Sequence, residues 1–307
     1  MNEPKKRVEL GRAILRGRTA GAHLAARGNP TFFVSDGQLS DALALLDQAE
    51  ARLRDDAPLW EREWISMAAR GVRLAVGRRP EHQATLARCQ QVLSRLEAID
   101  RLAFAEVRAR LARGELRPSD LEKELEGRPN VEWDAYVQRL FEVSEVPEAE
   151  AERPAKMVHY LPSPFTSILE LTARVGPNDV FYDVGSGLGL VTVLVAWMTG
   201  ARAKGLEREP AYHRQAEALA ARFPVLRVEP ILGDAREHDY RDATVVYVYD
   251  TFRDELLDQL LIKLAAVAAD HPLVVVSRGR SSPQIRAQTW LTEVEVTRTG
   301  LTVFKSA

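Results

Sequence analysis

The chain between residues 179 and 277 alternates short apolar runs with helical patterns, and this alternation constrains the fold more than any other feature. Five apolar runs are typical of strands, at 179–184, 202–207, 226–231, 244–249 and 273–277. Helical patterns precede or separate them near 166–175, 188–199, 210–222 and 254–269. Apolar strands that are joined by helices pair in parallel and are covered on both faces. The pattern therefore predicts a doubly wound α/β sheet.

The end of the chain departs from this alternation. The segment TEVEVTRTGLTVFK contains two alternating strands around Thr299 and Gly300, which predicts a hairpin. The predicted fold is thus a mostly parallel, seven-stranded, Rossmann-like sheet that finishes in an antiparallel pair.

The first half of the chain is different in kind. Residues 31–141 carry few strand signals and repeat apolar side chains at helical spacing, which predicts an all-helical domain. Residues 142–154 are rich in Glu and Pro, and this composition predicts a surface linker. The sheet is then expected in a separate domain that covers residues 155–307.

Charge and cysteine content set further bounds. Residues 1–30 carry seven Lys or Arg against two Glu, although the whole chain has a net charge of −2. This basic N-terminal arm could meet nucleic acid or an acidic protein face, or could be an ordinary solvated terminus. Cys89 is the single cysteine, which favours a reducing, cytoplasmic setting. We expect no metal site, because no His/Cys cluster has ligand spacing, and no membrane span.

The first predicted strand runs into a glycine loop, DVGSGLG, that begins at Asp183. A dinucleotide-binding loop needs glycine at its first, third and sixth positions, whereas Gly185, Gly187 and Gly189 are first, third and fifth. Asp183 would also repel a pyrophosphate across a partly desolvated cleft. A ligand with an ammonium and a sulfonium group has no such conflict. The loop therefore predicts S-adenosyl-L-methionine as the cofactor.

Acids also stand at the ends of the next two predicted strands. Glu207 ends the second strand, where a carboxylate can accept hydrogen bonds from both ribose hydroxyls. Asp234 follows the third strand, where it could bind an adenine amino group. Ligands of doubly wound sheets lie at the carboxyl ends of the strands, so these acids and Asp183 are expected to converge on one ligand.

These motifs carry a resemblance to a known family. DVGSGLG, GLERE, GDARE and the terminal hairpin resemble class I S-adenosylmethionine-dependent methyltransferases over roughly residues 155–307. YLPSP, residues 160–164, is similar to the Tyr-x-Pro-Thr-Pro loop that closes over the cofactor in the telomeric-silencing histone lysine methyltransferases and related bacterial enzymes. The Asn-Asn-Phe or Asn-Pro-Phe segment of that group is replaced here by YDTF, in which only Phe252 matches.

The resemblance implies an enzyme that methylates a protein amine, most simply lysine. Tyr160, Tyr249 and Asp250 are the candidate catalytic residues, because tyrosine hydroxyls and a carboxylate can bind an amine and help to remove its proton. Tyr249 could equally be an ordinary strand aromatic. His159 could be a further base or ordinary polar surface. The altered YDTF segment leaves open an RNA or small-molecule acceptor, or a non-catalytic binding module. The expected cofactor contacts are Tyr160, Ser163, Asp183, Gly185, Ser186, Gly187, Gly189, Glu207, Asp234 and Asp250.

Overall fold

A computed structural model describes residues 36–77, 80–128, 130–143, 146–151 and 160–306. The predicted basic arm and His159 lie outside the described residues. The chain divides into two compact units, residues 1–105 and residues 106–307. The division lies upstream of the predicted linker, so the helices between 106 and 140 belong to the unit that contains the sheet.

The first unit is helical. Its described elements are α1 (Asp36–Arg52), α2 (Leu59–Val76), a short 3-10 helix (Pro80–His82) and α3 (Gln83–Ala103). An ion pair between Arg62 and Asp100 is buried beside this core. None of the described helices has the length and apolar character that a membrane span needs. The core side chains are Leu46, Ile65, Val72, Val76, Cys89, Val92, Leu93 and Leu96.

In the described part of the second unit, four helices precede the sheet: α4 (Ala105–Ala112), α5 (Pro118–Leu125), α6 (Asn130–Leu140) and α7 (Phe165–Thr172). Arg108 donates to the carbonyls of Arg139 and Leu140 at 2.6 and 3.2 Å, which satisfies the end of α6. Asp134 on α6 accepts a 2.6 Å hydrogen bond from the backbone N–H of Phe165. This bond fixes the start of α7 and, with it, the residues just before Phe165.

The sheet has seven strands, as predicted. They are β1 (Val180–Val184), β2 (Arg202–Glu207), β3 (Val228–Leu232), β4 (Val245–Tyr249), β5 (Val274–Arg278), β6 (Leu291–Val296) and β7 (Leu301–Ser306). Their order across the sheet is β3-β2-β1-β4-β5-β7-β6. The first five strands are parallel, while β7 is antiparallel to both of its neighbours, so the sheet is mixed. The terminal hairpin turns at Gly300, where φ is +86°.

Helices connect the parallel strands, except that β3 leads to β4 through residues 233–244 without a helix. They are α8 (Leu190–Thr199), α9 (Pro210–Ala221), α10 (Glu255–Asp270) and, before the hairpin, α11 (Ser282–Arg286). The core that α10 covers includes Tyr182, Val246, Val248, Leu260, Leu264 and Phe304. Since β1 pairs with both β2 and β4, the strand order reverses at β1. Ligands of open α/β sheets lie beyond the carboxyl ends of the strands at this switch point, which places the expected site around residues 183–189.

Candidate functional site

The glycine loop connects β1 to α8 in a conformation that glycine adopts readily. Gly185, Gly187 and Gly189 have φ values of +77°, +56° and +81°. The N–H groups of Gly185 and Ser186 both donate to the Leu206 carbonyl at 2.9 Å, which ties the loop to β2. A Cβ atom at Gly187 would overlap the ring of Tyr160. The loop is therefore a cradle that side chains would fill.

Asp183 is buried at the end of β1, with 4% of its surface exposed. Its Oδ2 accepts a 3.1 Å hydrogen bond from Thr192 on α8. Burial, reinforced by the negative charge of Glu207, raises the pKa of Asp183 to about 7, although the bond from Thr192 opposes the shift. No cationic side chain of the described ranges contributes to this pKa. The ammonium group of a bound amino acid therefore suits this carboxylate.

Glu207 holds the loop from the adjacent strand. Its Oε2 accepts from the Gly187 N–H at 2.8 Å, and its Oε1 accepts from the Glu209 N–H at 2.7 Å. Burial raises the pKa of Glu207, although these backbone bonds oppose the shift. Each carboxylate oxygen has two lone pairs, so ribose hydroxyls can still donate to Glu207 where it lines the cleft.

Glu209 attaches a further segment of chain to the cleft. Its side chain caps α9 by accepting from the Ala211 N–H at 3.1 Å. The same carboxylate accepts from the N–H groups of Glu150 and Ala151 at 2.8 and 2.9 Å. Part of the predicted linker, residues 146–151, is consequently bound at the rim, where Ala149 and Ala151 line the cleft.

Asp234 lines the cleft beyond Glu207, as the sequence predicts, but its carboxylate already has a partner. Arg236 approaches it with two nitrogens, Nε at 2.9 Å from Oδ1 and Nη2 at 2.5 Å from Oδ2. These bonds lower the pKa of Asp234 despite its partial burial. The contact between Asp234 and adenine stays a prediction. For that contact to form, the Asp234 carboxylate would have to bind adenine while it is paired with Arg236.

Aromatic side chains close the other end of the cleft. The Tyr160 ring packs edge to face on Tyr212, with centroids 5.6 Å apart, and lies against Gly187. Burial raises the pKa of the Tyr160 hydroxyl. Ser163 Oγ and the Tyr247 hydroxyl share a 3.0 Å hydrogen bond, which attaches the YLPSP segment to β4. The segment thus lies over the carboxyl ends of β1 and β4.

Arg278 stands beside these tyrosines. It is the last residue of β5 and lies in register with Tyr249, the last residue of β4. Its Nη1 donates to the Tyr249 hydroxyl oxygen at 2.7 Å, and its guanidinium lies over the Tyr249 ring at 4.9 Å. The sequence interpretation did not include Arg278, although its place at the end of a parallel strand was a usable signal.

Asp250 has a left-handed backbone, with φ at +45°. Its Oδ1 accepts from the N–H groups of Arg280 and Ser281 at 2.5 and 3.2 Å. These bonds hold the 3-10 turn Gly279–Ser281 against the end of β4. Asp250 borders the cleft, as predicted, but its carboxylate is engaged by backbone in this arrangement.

The structure brings most of the predicted residues into one continuous site. The cleft is lined by Tyr160, Gly185, Gly187, Glu207, Asp234, Tyr249 and Asp250. An adjoining recess is lined by Tyr160, Ser163, Asp183, Gly185, Ser186 and Tyr249, together with Tyr247. Gly189 lies outside both and instead meets α9, where a Cβ would approach Ala216 to 2.8 Å. The sequence interpretation missed Tyr212 and Glu209, which line the cleft, and Arg278, which contacts the lining residue Tyr249.

Comparisons with known proteins give matches among solved structures. No family model matches the chain, and no curated protein matches it. An RNA methyltransferase from Salinibacter ruber in complex with S-adenosyl-L-homocysteine is 30% identical, with 48% of this chain and 92% of that chain covered and a TM-score of 0.33. Magnesium protoporphyrin IX methyltransferase from Synechocystis with bound S-adenosylmethionine is 16% identical, with 46% and 76% covered and a TM-score of 0.36. A methyltransferase from Aquifex aeolicus is 12% identical, with 46% and 87% covered and a TM-score of 0.36.

Proposed function

We propose that this chain, which belongs to the S-adenosylmethionine-dependent methyltransferases, transfers the methyl group to a small-molecule acceptor held beside Tyr247 and Tyr249. The predicted class of enzyme and the predicted cofactor, S-adenosyl-L-methionine, are confirmed. The class accords with the 30% identity over 92% of the Salinibacter enzyme and with the residues of the site. The acceptor and the role of each residue are proposals.

One observation carries the placement of the cofactor: a buried carboxylate, Asp183, directly precedes a glycine cradle. We assign the methionine ammonium to Asp183 in the recess and the ribose hydroxyls to Glu207 in the cleft, because the two spaces adjoin at Tyr160 and Gly185. The adenine then lies toward Asp234 and Ala235. When bound, the cofactor supplies an electrophilic methyl group on a sulfonium.

The chain contributes alignment and exclusion of water. The positive φ values of the loop let the backbone approach the ligand without side chains. Tyr160 and Leu161 cover the junction of the cleft and the recess, since both line the two spaces. Holding an acceptor in line with the methyl group and stripping its water account for much of the rate enhancement expected of such a transfer.

The contacts at the acceptor end do not support the protein lysine that the resemblance implies. The Asp250 carboxylate, which was expected to meet an amine, is bound by two backbone N–H groups. Tyr249 accepts a hydrogen bond from a cationic side chain, Arg278, which would repel a lysine ammonium. The recess is walled by the buried Tyr247 together with Leu161 and Pro162, which suits a small, flat acceptor.

Transfer of label from methyl-labelled S-adenosylmethionine into a cell extract tests the proposal. We expect label in the small-metabolite fraction with the wild-type protein and with Asp239→Asn, a control whose carboxylate pairs with Arg241 outside the site. Asp183→Ala should abolish the transfer. Label confined to protein or to RNA would overturn the small-molecule acceptor and retain the class of enzyme. Failure of the wild type to bind the cofactor would overturn the placement of the cofactor.

A further inference from the structure

We propose that Arg278 forms an oxyanion-binding subsite, so that the methyl acceptor is a small acid with a carboxylate or phosphate near the methylated atom. The inference rests on the proposed function, because it assigns a chemical class to the acceptor of that site. Arg278 would then be a specificity-determining residue that contacts the substrate.

The position of Arg278 meets the first requirement, which is a place next to the residues that line the proposed acceptor site. It lies at the carboxyl end of β5, at the same edge of the sheet as the glycine loop. Arg278 contacts Tyr249, and Tyr249 lines both the cleft and the recess. Asp183 on β1 is in register with Tyr247 on β4, and β4 lies between β1 and β5 in the sheet. The strand that carries Tyr247 and Tyr249 therefore separates the proposed ammonium site from the proposed oxyanion site.

The bonding of Arg278 meets the second requirement, which is unused capacity for an anion. Within the described part of the chain its contacts are the hydrogen bond to Tyr249 and the stacking on that ring, and no carboxylate pairs with it. Its Nε is buried and has no hydrogen-bond partner among the described residues. A guanidinium has five N–H donors in a planar fork that matches a carboxylate or phosphate. A half-buried cation without a counter-charge is costly, and an acidic ligand would relieve that cost.

The carboxylate of Asp250, which lies near Arg278 in the fold, is not the counter-charge of Arg278. Asp250 is bound to the backbone of Arg280 and Ser281, and its carboxylate packs against Gly279, where a Cβ atom would overlap it. The carboxylate is thereby committed to the 3-10 turn. Arg280, two residues after Arg278, is exposed and provides a matched control for the general positive charge of this edge.

Ligand-observed NMR on protein saturated with S-adenosyl-L-homocysteine tests the inference, with four probes of one shape. Benzoate and phenyl phosphate carry an oxyanion, benzamide is neutral and benzylamine is cationic. We expect one or both anions to bind and the other two probes to bind at least tenfold more weakly, as the loss of a charge-assisted hydrogen bond predicts. Comparing benzoate with phenyl phosphate identifies the oxyanion that the subsite prefers.

Variants separate this inference from the proposed function. Arg278→Gln should weaken binding of the preferred anion about tenfold or more, whereas Arg280→Gln should leave it unchanged. Arg278→Lys should bind the anion more tightly than Arg278→Gln but less tightly than the wild type, because lysine keeps the positive charge and lacks the planar guanidinium. All three variants should bind S-adenosyl-L-homocysteine like the wild type, which also shows that they fold.

Two outcomes would overturn the subsite: benzamide binding as tightly as benzoate, or an anion affinity in Arg278→Gln equal to that of the wild type. Absence of S-adenosyl-L-homocysteine binding in the wild type would instead overturn the cofactor placement.

Discussion

Replacing Asp183 by Asn should stabilise the cofactor-free protein while impairing its function. The pKa of Asp183 is about 7 in the fold against an ordinary value of 3.8, so ionisation of this group opposes folding. Because the folded pKa is raised, the penalty is absent below about pH 4, grows as the pH rises, and is complete above about pH 7. The difference between these two pKa values corresponds to about 4 kcal/mol of folding free energy above pH 7.

The gain in the variant is smaller than this figure. The Asn oxygen can still accept from Thr192, but its new amide N–H groups lack a partner, which costs about 1–3 kcal/mol. We therefore expect Asp183→Asn to be about 1–3 kcal/mol more stable than the wild type at pH 8.

Thermal melts of the cofactor-free proteins from pH 5 to pH 8 measure this difference. The melting temperature of Asp183→Asn should exceed that of the wild type by at least a few degrees at pH 8, and the excess should shrink toward pH 5. Asp239→Asn serves as the control, because its exposed carboxylate has a lowered pKa and offers no such gain. A variant no more stable than the wild type at pH 8, or an excess that grows with acidity, would refute the reasoning.

Three further predictions concern the loop, the rim and the sheet. Gly187→Ala should lose most of the affinity for S-adenosyl-L-homocysteine in calorimetry, because the new Cβ overlaps the Tyr160 ring. The control Gly114→Ala, with a φ of +70° and open space around it, should keep this affinity. Glu209→Gln should raise the rate of proteolysis within the rim segment 146–151, since the bonds to its backbone lose their charge assistance; an unchanged rate would contradict that role. Lys204→Met should lower the free energy of unfolding by about 1–3 kcal/mol in urea titrations, because Tyr182 and Asp242 lose the ammonium group that donates to both. Urea midpoints and slopes equal to those of the wild type would count against this network.

The sequence predicted the strands of the sheet and the place of the glycine loop well because both depend on local patterns. Each strand of the parallel sheet lies within two residues of its predicted bounds, and the glycines with their positive φ follow β1 as expected. Acids at strand ends are visible in the sequence, and parallel strands bring such ends together. Asp183 and Glu207 are therefore neighbours in space although they lie on different strands.

The acceptor end could not be predicted in the same way, because its properties depend on residues far apart in sequence. The Asp250 carboxylate was expected to face a substrate, but the backbone of residues 280 and 281 binds it. Arg278 follows a predicted strand, but its contact with Tyr249 depends on the register of β4 and β5. Glu209 caps α9 in the structure, and its bonds to Glu150 and Ala151 span almost sixty residues.

A calorimetric titration of the wild type with S-adenosyl-L-homocysteine at pH 8 and at pH 6 tests the central claim, that Asp183 receives the amino-acid end of the cofactor. With a pKa of about 7, the ionised fraction of Asp183 falls from about nine tenths at pH 8 to about one tenth at pH 6. The ammonium group needs the ionised form, so one equivalent should bind and the affinity should fall about tenfold between these pH values. In Asp183→Asn the affinity should be weak at both. No binding at pH 8, or an affinity that is the same at both pH values in the wild type, would contradict the account.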